Sequence, residues 1–339
     1  MVRLFIIILF ISSPLPWAWA QGIFEGPTQF IPVEVDRMYV KGINFLRDHQ
    51  NKDGTFTSPG RSDTYGKQPG VVGLAVISMM AHGDDPNRGP YALAIRRALD
   101  FIVKSQNKST GYIGSSMYNH GFATLALAEA YGQVNDNRLG TALKKATDLI
   151  LNAQKRSRAG GWRYSPESSD ADTTVSGAQF VALMAARNAG LAVPQESLEK
   201  ALRYLISCQS SDGGVGYTSA SSGNGPRTAI AALCFALAKK KESERFKAAM
   251  GFLANVGPSG GYDHYYHYFL YYAAQTYFHA SGPQNPRLWQ EWNAENIKRL
   301  LETQQEDGRW DSNFGGSFAT AASPLSLALN YRYLPIYER

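Results

Sequence analysis

Two kinds of apolar segment alternate along the chain. Segments of the first kind carry hydrophobic residues at helical spacing among polar ones, as at Phe45 and Leu46. Those of the second kind are rich in small apolar residues all round, which is typical of helices packed on both sides. This pattern predicts second-type helices over residues 71–81, 122–131, 176–187, 228–239, 264–278 and 318–331. Few stretches alternate in the manner of β-strands, so the pattern predicts an all-α protein.

The amphipathic segments carry a repeated motif in which a basic residue precedes a Gln by nine positions, and Gly follows. The Gln of the four complete copies is Gln50, Gln106, Gln154 and Gln209. Two further copies are degenerate: Gly257 replaces the Gln of the fifth, and the sixth keeps Gln304, Gly308 and Trp310. Each unit predicts a helix, a glycine turn that ends it and a second helix. We expect the Gln amide to satisfy exposed backbone groups near helix ends. Six such hairpins could form an open solenoid or a closed ring.

The motif resembles the QW motif of squalene–hopene cyclases and the related prenyltransferase β-subunit repeats, over about residues 33 to 335. The resemblance implies a closed α/α toroid of six helical hairpins, with one ring of helices inside another. Segments 117–124 and 333–337 resemble exported bacterial prenyltransferase/squalene-oxidase-repeat proteins, whose activity is unassigned.

The first twenty residues differ from the rest of the chain. A positive start at Arg3, an apolar run and Ala18-Trp19-Ala20 match a cleavable signal peptide over residues 1–20. An uncleaved N-terminal anchor is the alternative interpretation. We expect residues 21–339 to form a single domain that works outside the cytoplasm, secreted or in the periplasm.

Charge and cysteine content add few constraints. The formal net charge is +6, but the basic residues form no long stripe and no nucleic-acid-binding motif is present, so nucleic acid is not an expected partner. Phosphate-loop, dinucleotide and nucleophile-elbow motifs are also missing from the sequence. Cys208 and Cys234 fall in helical stretches, where they could be two buried thiols or a disulfide.

Candidate site residues cluster at the predicted starts of the second helices. If these helices form the inner barrel, their N-termini open at one mouth, which makes that mouth the expected site. The polar and charged residues there include Asn119, His120, Asp170, Asp172, Arg227, His264 and His267. Arg227 could receive an anionic group of a ligand or pair with one of the two aspartates.

The segment from Asp170 to Thr174 resembles the Asp-x-Asp-Asp-Thr acid motif of class II terpene cyclases. The resemblance implies that Asp172 is the general acid and Asp170 its helper. Thr173 stands where that motif has its last Asp. The alternative is structural, because Asp is a preferred N-cap of a helix.

The fifth second-type helix is unusually aromatic. Tyr265, Tyr268, Phe269 and Tyr272 share one face by their spacing. Such a wall could embrace an apolar chain, stack on sugars or stabilise a cation, or it could simply fill the core.

No cofactor is expected, and zinc is an open alternative if Asp172, His120 and either His264 or His267 converge. The leading functional hypothesis is a toroid that binds an extended apolar or isoprenoid-like ligand in its centre. The alternatives are a terpene-cyclase-like or transferase-like enzyme that uses Asp172, and a scaffold that binds an envelope protein or polysaccharide.

Overall fold

The structure, a computed structural model, describes residues 31–59, 63–261, 263–282 and 285–337. The predicted signal peptide lies outside these residues. The described residues form twelve α-helices, and no sheet is found among them. The helices, numbered in chain order, are α1 (Val33–Asp48), α2 (Pro69–Ala81), α3 (Ala92–Ser105), α4 (Met117–Ala130), α5 (Leu139–Arg156), α6 (Thr173–Asn188), α7 (Gln195–Ser207), α8 (Gly225–Leu237), α9 (Glu244–Val256), α10 (Tyr266–Ala280), α11 (Arg287–Thr303) and α12 (Gly316–Leu327).

The even-numbered helices form a closed inner ring. Each contacts the next, from α2 through α4, α6, α8 and α10 to α12, and α12 returns to contact α2. The odd-numbered helices pack outside this ring against their even-numbered neighbours. The predicted α/α toroid, with an inner and an outer ring of helices, is therefore confirmed.

Burial follows the two apolar patterns. Every residue of α2 is buried, as expected of a helix with neighbours on all sides. In α1, by contrast, one face is buried, through residues such as Met38, Ile43 and Leu46, and the opposite face is polar. Five of the six inner helices begin a few residues before the predicted start. For α4 the reason is Ser116, whose hydroxyl accepts a hydrogen bond from the Asn119 N–H and caps the helix.

In five of the six repeats a glutamine joins the repeat to the next. The amides of Gln50, Gln106, Gln154, Gln209 and Gln304 each donate two hydrogen bonds. One goes to a glycine carbonyl of the same repeat, at 2.7–3.4 Å. The other goes to a carbonyl near the start of the next outer helix, at 2.8–2.9 Å. The predicted role of the Gln amide is confirmed, and it extends across the boundary between repeats.

The last glutamine closes the ring. The Gln304 amide reaches the Met38 carbonyl in α1, which connects the sixth repeat to the first at 2.9 Å. Trp310 is fully buried beside it, and its indole N–H donates to the Leu300 carbonyl at 3.0 Å. The ring of Trp310 also lies against Gly42 of α1. Hydrogen bonds and apolar contacts thus both connect the sixth repeat to the first, at the contact between Gln304, Trp310 and α1 that we call the closing joint.

Replacing Gln304 with leucine is expected to lower the free energy of unfolding by about 2 kcal/mol, because two backbone carbonyls at the joint lose their partner. The neighbouring change Gln305→Leu is the matched control, since Gln305 is exposed and should cost less than about 0.5 kcal/mol. Urea unfolding of both variants measures the difference. Equal midpoints would contradict the role assigned to Gln304.

Cys208 and Cys234 are two free, buried thiols, and no disulfide joins them. Within the described ranges, no helix combines the length and apolar character that a membrane span requires.

Candidate functional site

A cavity of about 750 Å³ opens where the N-terminal ends of the inner helices meet. Each inner helix, or the turn before it, contributes to the wall. Among the described residues, nine aromatic side chains line it: Tyr65, Tyr118, Phe122, Tyr164, Tyr217, Tyr265, Tyr268, Phe314 and Phe318. Apart from the tyrosines, the ionisable side chains among the described lining residues are Arg227 and His264. The cavity is therefore an aromatic cup with a small polar component.

The cup ends inside the barrel, because aromatic side chains of α10 fill the centre below it. Tyr272 is fully buried and Tyr271 nearly so. The ring of Tyr271 meets Phe122 edge to face, with 5.8 Å between centroids, and Tyr272 packs in the same way on Tyr268 at 5.1 Å. The hydroxyls of Tyr268 and Tyr272 are buried and interact with each other, and the Tyr268 hydroxyl also interacts with that of Tyr118. The aromatic face predicted on α10 therefore serves as both floor and core.

Polar side chains fix the positions of the inner-helix starts. Asn119 joins α4 to α2, because its Oδ1 accepts a hydrogen bond from the Gly70 N–H at 3.1 Å and its amide donates to Gln68 Oε1 at 3.2 Å. Asn224 caps α8 by accepting from the Arg227 N–H at 3.0 Å. These bonds hold the rim of the cup and leave Asn119 and Arg227 in its wall.

Asp172 is the N-cap of α6 and has no exposed surface. Its Oδ1 accepts hydrogen bonds from the backbone N–H groups of Thr174 and Val175 at 3.0 and 2.8 Å, and from the Thr174 hydroxyl at 2.6 Å. Its Oδ2 is buried without a hydrogen-bond partner. Burial raises the pKa of Asp172, although the bonds from Thr174 and Val175 act in the opposite direction. Thr174 lines the cup, whereas Asp172 lies behind it.

The arginine nearest the two aspartates is Arg163. Its Nε lies 3.6 Å from Asp170 and 3.9 Å from Asp172. Arg227, considered above as their partner, instead donates to the Ser222 carbonyl at 3.0 Å. Asp170 has two thirds of its side-chain surface exposed and lies outside the cup lining.

A short aromatic and cationic stack forms one part of the wall. The guanidinium groups of Arg163 and Arg227 lie 5.2 and 5.4 Å from the centre of the Tyr217 ring. The hydroxyls of Tyr217 and Tyr164 are hydrogen-bonded to each other. Because a guanidinium over a ring face is attracted to it, this stack orients both arginines.

His120 and His267 serve the fold. His120 Nδ1 accepts from the Ile113 N–H at 3.1 Å, so its Nε2–H donates to the Ala146 carbonyl at 3.0 Å. His267 contacts Ser323 Oγ at 2.9 Å and the Asp311 carbonyl at 3.2 Å. Burial lowers the pKa of each imidazole to about 4. Both rings are therefore neutral at pH 7, with both nitrogens already engaged.

His264 and Tyr265 lie at the rim. They occupy the short 3-10 turn before α10, and Tyr265 is 41% exposed. The His264 ring packs edge to face on Phe314 at 5.6 Å, and Asn313 contacts its Nδ1 at 3.0 Å. Tyr65 meets the same Phe314 from the α1–α2 connection.

The cup brings together Asn119, Arg227, His264, Tyr265 and Tyr268 from the predicted site residues. The remaining five, Asp170, Asp172, His120, His267 and Tyr272, lie outside its lining. Across the described part of the chain, no three His, Cys, Asp or Glu side chains lie close enough together to hold a metal ion, so the combination considered for zinc does not assemble there.

Several lining residues were not among the predicted site residues, notably Tyr118, Tyr164, Thr174, Tyr217 and Phe314. Tyr118 and Thr174 fall within the segments that the sequence placed at the mouth. Tyr164, Tyr217 and Phe314 follow the glycine turns of repeats three, four and six. Their common position, three to six residues after Gly161, Gly213 and Gly308, is the signal that could have identified them.

The two rings and the shared mouth define the class of this protein as an α/α toroid. Within that class, the chain belongs to the family described as "Domain of unknown function (DUF6288)", whose model matches residues 37–320. A comparison with curated proteins finds no match.

Similar solved structures include two kinds of enzyme. The GH76A α-1,6-mannanase from Salegentibacter sp. HEL1_6 superposes with a TM-score of 0.66 at 13% identity, over 87% of this chain and 98% of that chain. The type II terpene cyclase MstE from Scytonema, as a variant bound to geranylgeranyl dihydroxybenzoate, gives a TM-score of 0.59 at 17% identity, over 89% of this chain and 98% of that one. At these identities the similarity shows the fold, including the toroid shared with a terpene cyclase.

Proposed function

We propose that this protein binds an extended apolar, isoprenoid-like ligand in the cup at the mouth of its barrel, outside the cytoplasm. The observation that carries the proposal is the lining, in which nine aromatic side chains surround about 750 Å³. Aromatic and aliphatic walls with a few placed polar groups are typical of sites for small apolar ligands. Arg227 and His264 would face the polar end of such a ligand near the rim.

Two further points support an isoprenoid over other apolar molecules. The aromatic faces suit the double bonds and methyl groups of a polyprenyl chain, which pack on rings without needing hydrogen bonds. In addition, the terpene cyclase that shares the toroid is bound to geranylgeranyl dihydroxybenzoate, a molecule with a polyprenyl chain.

Titration with geranylgeraniol tests the proposal. Leu74 lines the cup from α2, and Leu74→Trp should fill part of it and weaken binding at least about tenfold, because the ligand loses room. Leu93→Trp is the matched control, since Leu93 is 55% exposed on outer helix α3 and should bind as the native protein does. Absence of binding by the native protein, or equal binding by Leu74→Trp, would contradict the proposal.

A polysaccharide partner is tested in the same experiment. A variant of the mannanase with the same fold is bound to α-1,6-mannotriose. Titration with α-1,6-mannotriose is expected to give no saturable binding here. Saturable binding that Leu74→Trp abolishes would favour the polysaccharide alternative instead.

A second candidate function is catalysis with Asp172 as general acid. The buried Oδ2, which accepts no hydrogen bond, and the raised pKa of Asp172 favour it, because a general acid must hold its proton at working pH. If this candidate holds, native protein incubated with oxidosqualene forms a cyclised product, and Asp172→Asn, which retains an oxygen to cap α6, forms none. Unchanged or absent turnover in both proteins would leave Asp172 as a structural cap.

A further inference from the structure

A chain of hydrogen bonds connects the wall of the cup to the buried carboxyl group of Asp172. The Tyr118 hydroxyl is hydrogen-bonded to Thr174 Oγ1, and Thr174 Oγ1 is hydrogen-bonded to Asp172 Oδ1. Tyr118 and Thr174 line the cup from α4 and α6, and Asp172 lies behind them. The ring of Tyr118 is held between those of Tyr164 and Tyr268, with centroids 5.8 and 6.5 Å away.

The direction of this chain follows from the partners of Asp172. Its Oδ1 already accepts two backbone N–H groups, from Thr174 and Val175, so it acts as an acceptor toward the Thr174 hydroxyl as well. A proton bound by the carboxyl group would sit on Oδ2, which accepts no hydrogen bond, so the direction is the same in either protonation state. The single hydrogen of Thr174 Oγ1 is therefore committed to Asp172.

Tyr118 must then donate its own hydrogen to Thr174, which has none left to give. A phenol has a single hydroxyl hydrogen, so once it donates that hydrogen to Thr174 it can only accept hydrogen bonds from other partners. Toward the cup, the Tyr118 oxygen is thus a hydrogen-bond acceptor and not a donor. Two amide oxygens in the wall already have partners, because Asn119 Oδ1 accepts from Gly70 and Asn224 Oδ1 from Arg227, and the hydroxyl of the neighbouring Tyr268 is buried.

We infer that the ligand of the cup carries a hydroxyl group and that Tyr118 selects it by accepting its hydrogen bond. The inference rests on the proposed function and narrows it to an isoprenoid-like alcohol, as opposed to a hydrocarbon, an ether or a ketone. An ether oxygen at the same place would face the lone pairs of the Tyr118 oxygen, and no hydrogen would lie between the two oxygens to form a hydrogen bond.

The test compares geranylgeraniol with its methyl ether by isothermal titration. Native protein should bind the alcohol about tenfold more tightly than the ether, the effect of one hydrogen bond against a pair of opposed acceptors. Tyr118→Phe should bring the two affinities close to equality by weakening the alcohol. Tyr131→Phe is the matched control, since Tyr131 lies at the far end of α4 outside the cup and should leave the preference intact.

Thr174→Val provides a readout that loss of structure alone would not produce. Without the threonine oxygen, Tyr118 regains a hydrogen to donate into the cup, so the ether should bind more tightly than it does to native protein. If native protein binds both compounds equally, or if Tyr118→Phe keeps the preference, the assignment of Tyr118 is overturned while the proposed function stands. If neither compound binds, both are overturned.

Discussion

Replacing Gly308 with alanine is expected to lower the free energy of unfolding by about 3 kcal/mol or more, one of the largest effects of any single methyl group in this protein. Gly308 has a φ of +95°, in the region that favours glycine. A Cβ there would lie 2.4 Å from the carbonyl oxygen of Lys41, so the backbone of the first repeat would have to move away from the sixth. The change therefore acts directly on the joint that closes the ring.

Gly251→Ala is the matched control for this prediction. Gly251 lies in α9, is exposed and has no atom within 4 Å of the position of a Cβ. The same chemical change should stabilise the protein there by roughly 0.5–1 kcal/mol, because alanine is the better helix former. Urea unfolding of both variants decides the matter. A Gly308→Ala protein as stable as the native one would mean that the ring does not depend on this close approach.

Acidification from pH 7 to pH 4 is expected to remove about 3 kcal/mol of stability for each of His120 and His267, at about 1.4 kcal/mol per unit of pKa shift. Burial lowers both pKa values from 6.5 to about 4. Because the unfolded chain takes up these protons below pH 6.5 and the folded protein does not, stability is complete above pH 6.5. It is lost as the pH falls toward 4.

The uncharged variant His120→Gln isolates one of the two contributions. Its amide can accept from the Ile113 N–H and donate to the Ala146 carbonyl, as the imidazole does. The free energy of unfolding of this variant should fall less steeply between pH 6.5 and 4 than that of the native protein. If the free energies of unfolding of the two proteins fell in parallel with pH, His120 would bind its proton equally well in the folded and unfolded states.

The fold followed from the sequence because its determinants are local. In five repeats a Gln and a Gly four to six residues after it form one hydrogen-bonded turn. The pairing of Gln304 with Met38 repeats in the sixth unit what Gln50 does with Ala94 in the first. The family resemblance supplied the closure of the ring, which spacing alone left open between a solenoid and a toroid.

Only part of the site could be predicted from the sequence, because a position at the rim does not determine where a side chain points. Asn119 and His120 are adjacent at the start of α4, yet one lines the cup and the other turns outward to bond Ile113 and Ala146. Likewise Tyr268 reaches the cup, while Tyr272, one turn deeper, is enclosed in the barrel. Arg163 was overlooked because its proximity to Asp172 arises from the turn that carries Trp162 back against α6.

Native mass spectrometry of the protein purified from the cells that produce it shows whether the cup holds a ligand. We expect an adduct of discrete mass, matching an isoprenoid alcohol, that is released on denaturation and is missing from Leu74→Trp but present in Leu93→Trp. A native protein that has the mass of the bare chain, and that takes up no added geranylgeraniol, would contradict the claim that the cup is a binding site for such a ligand.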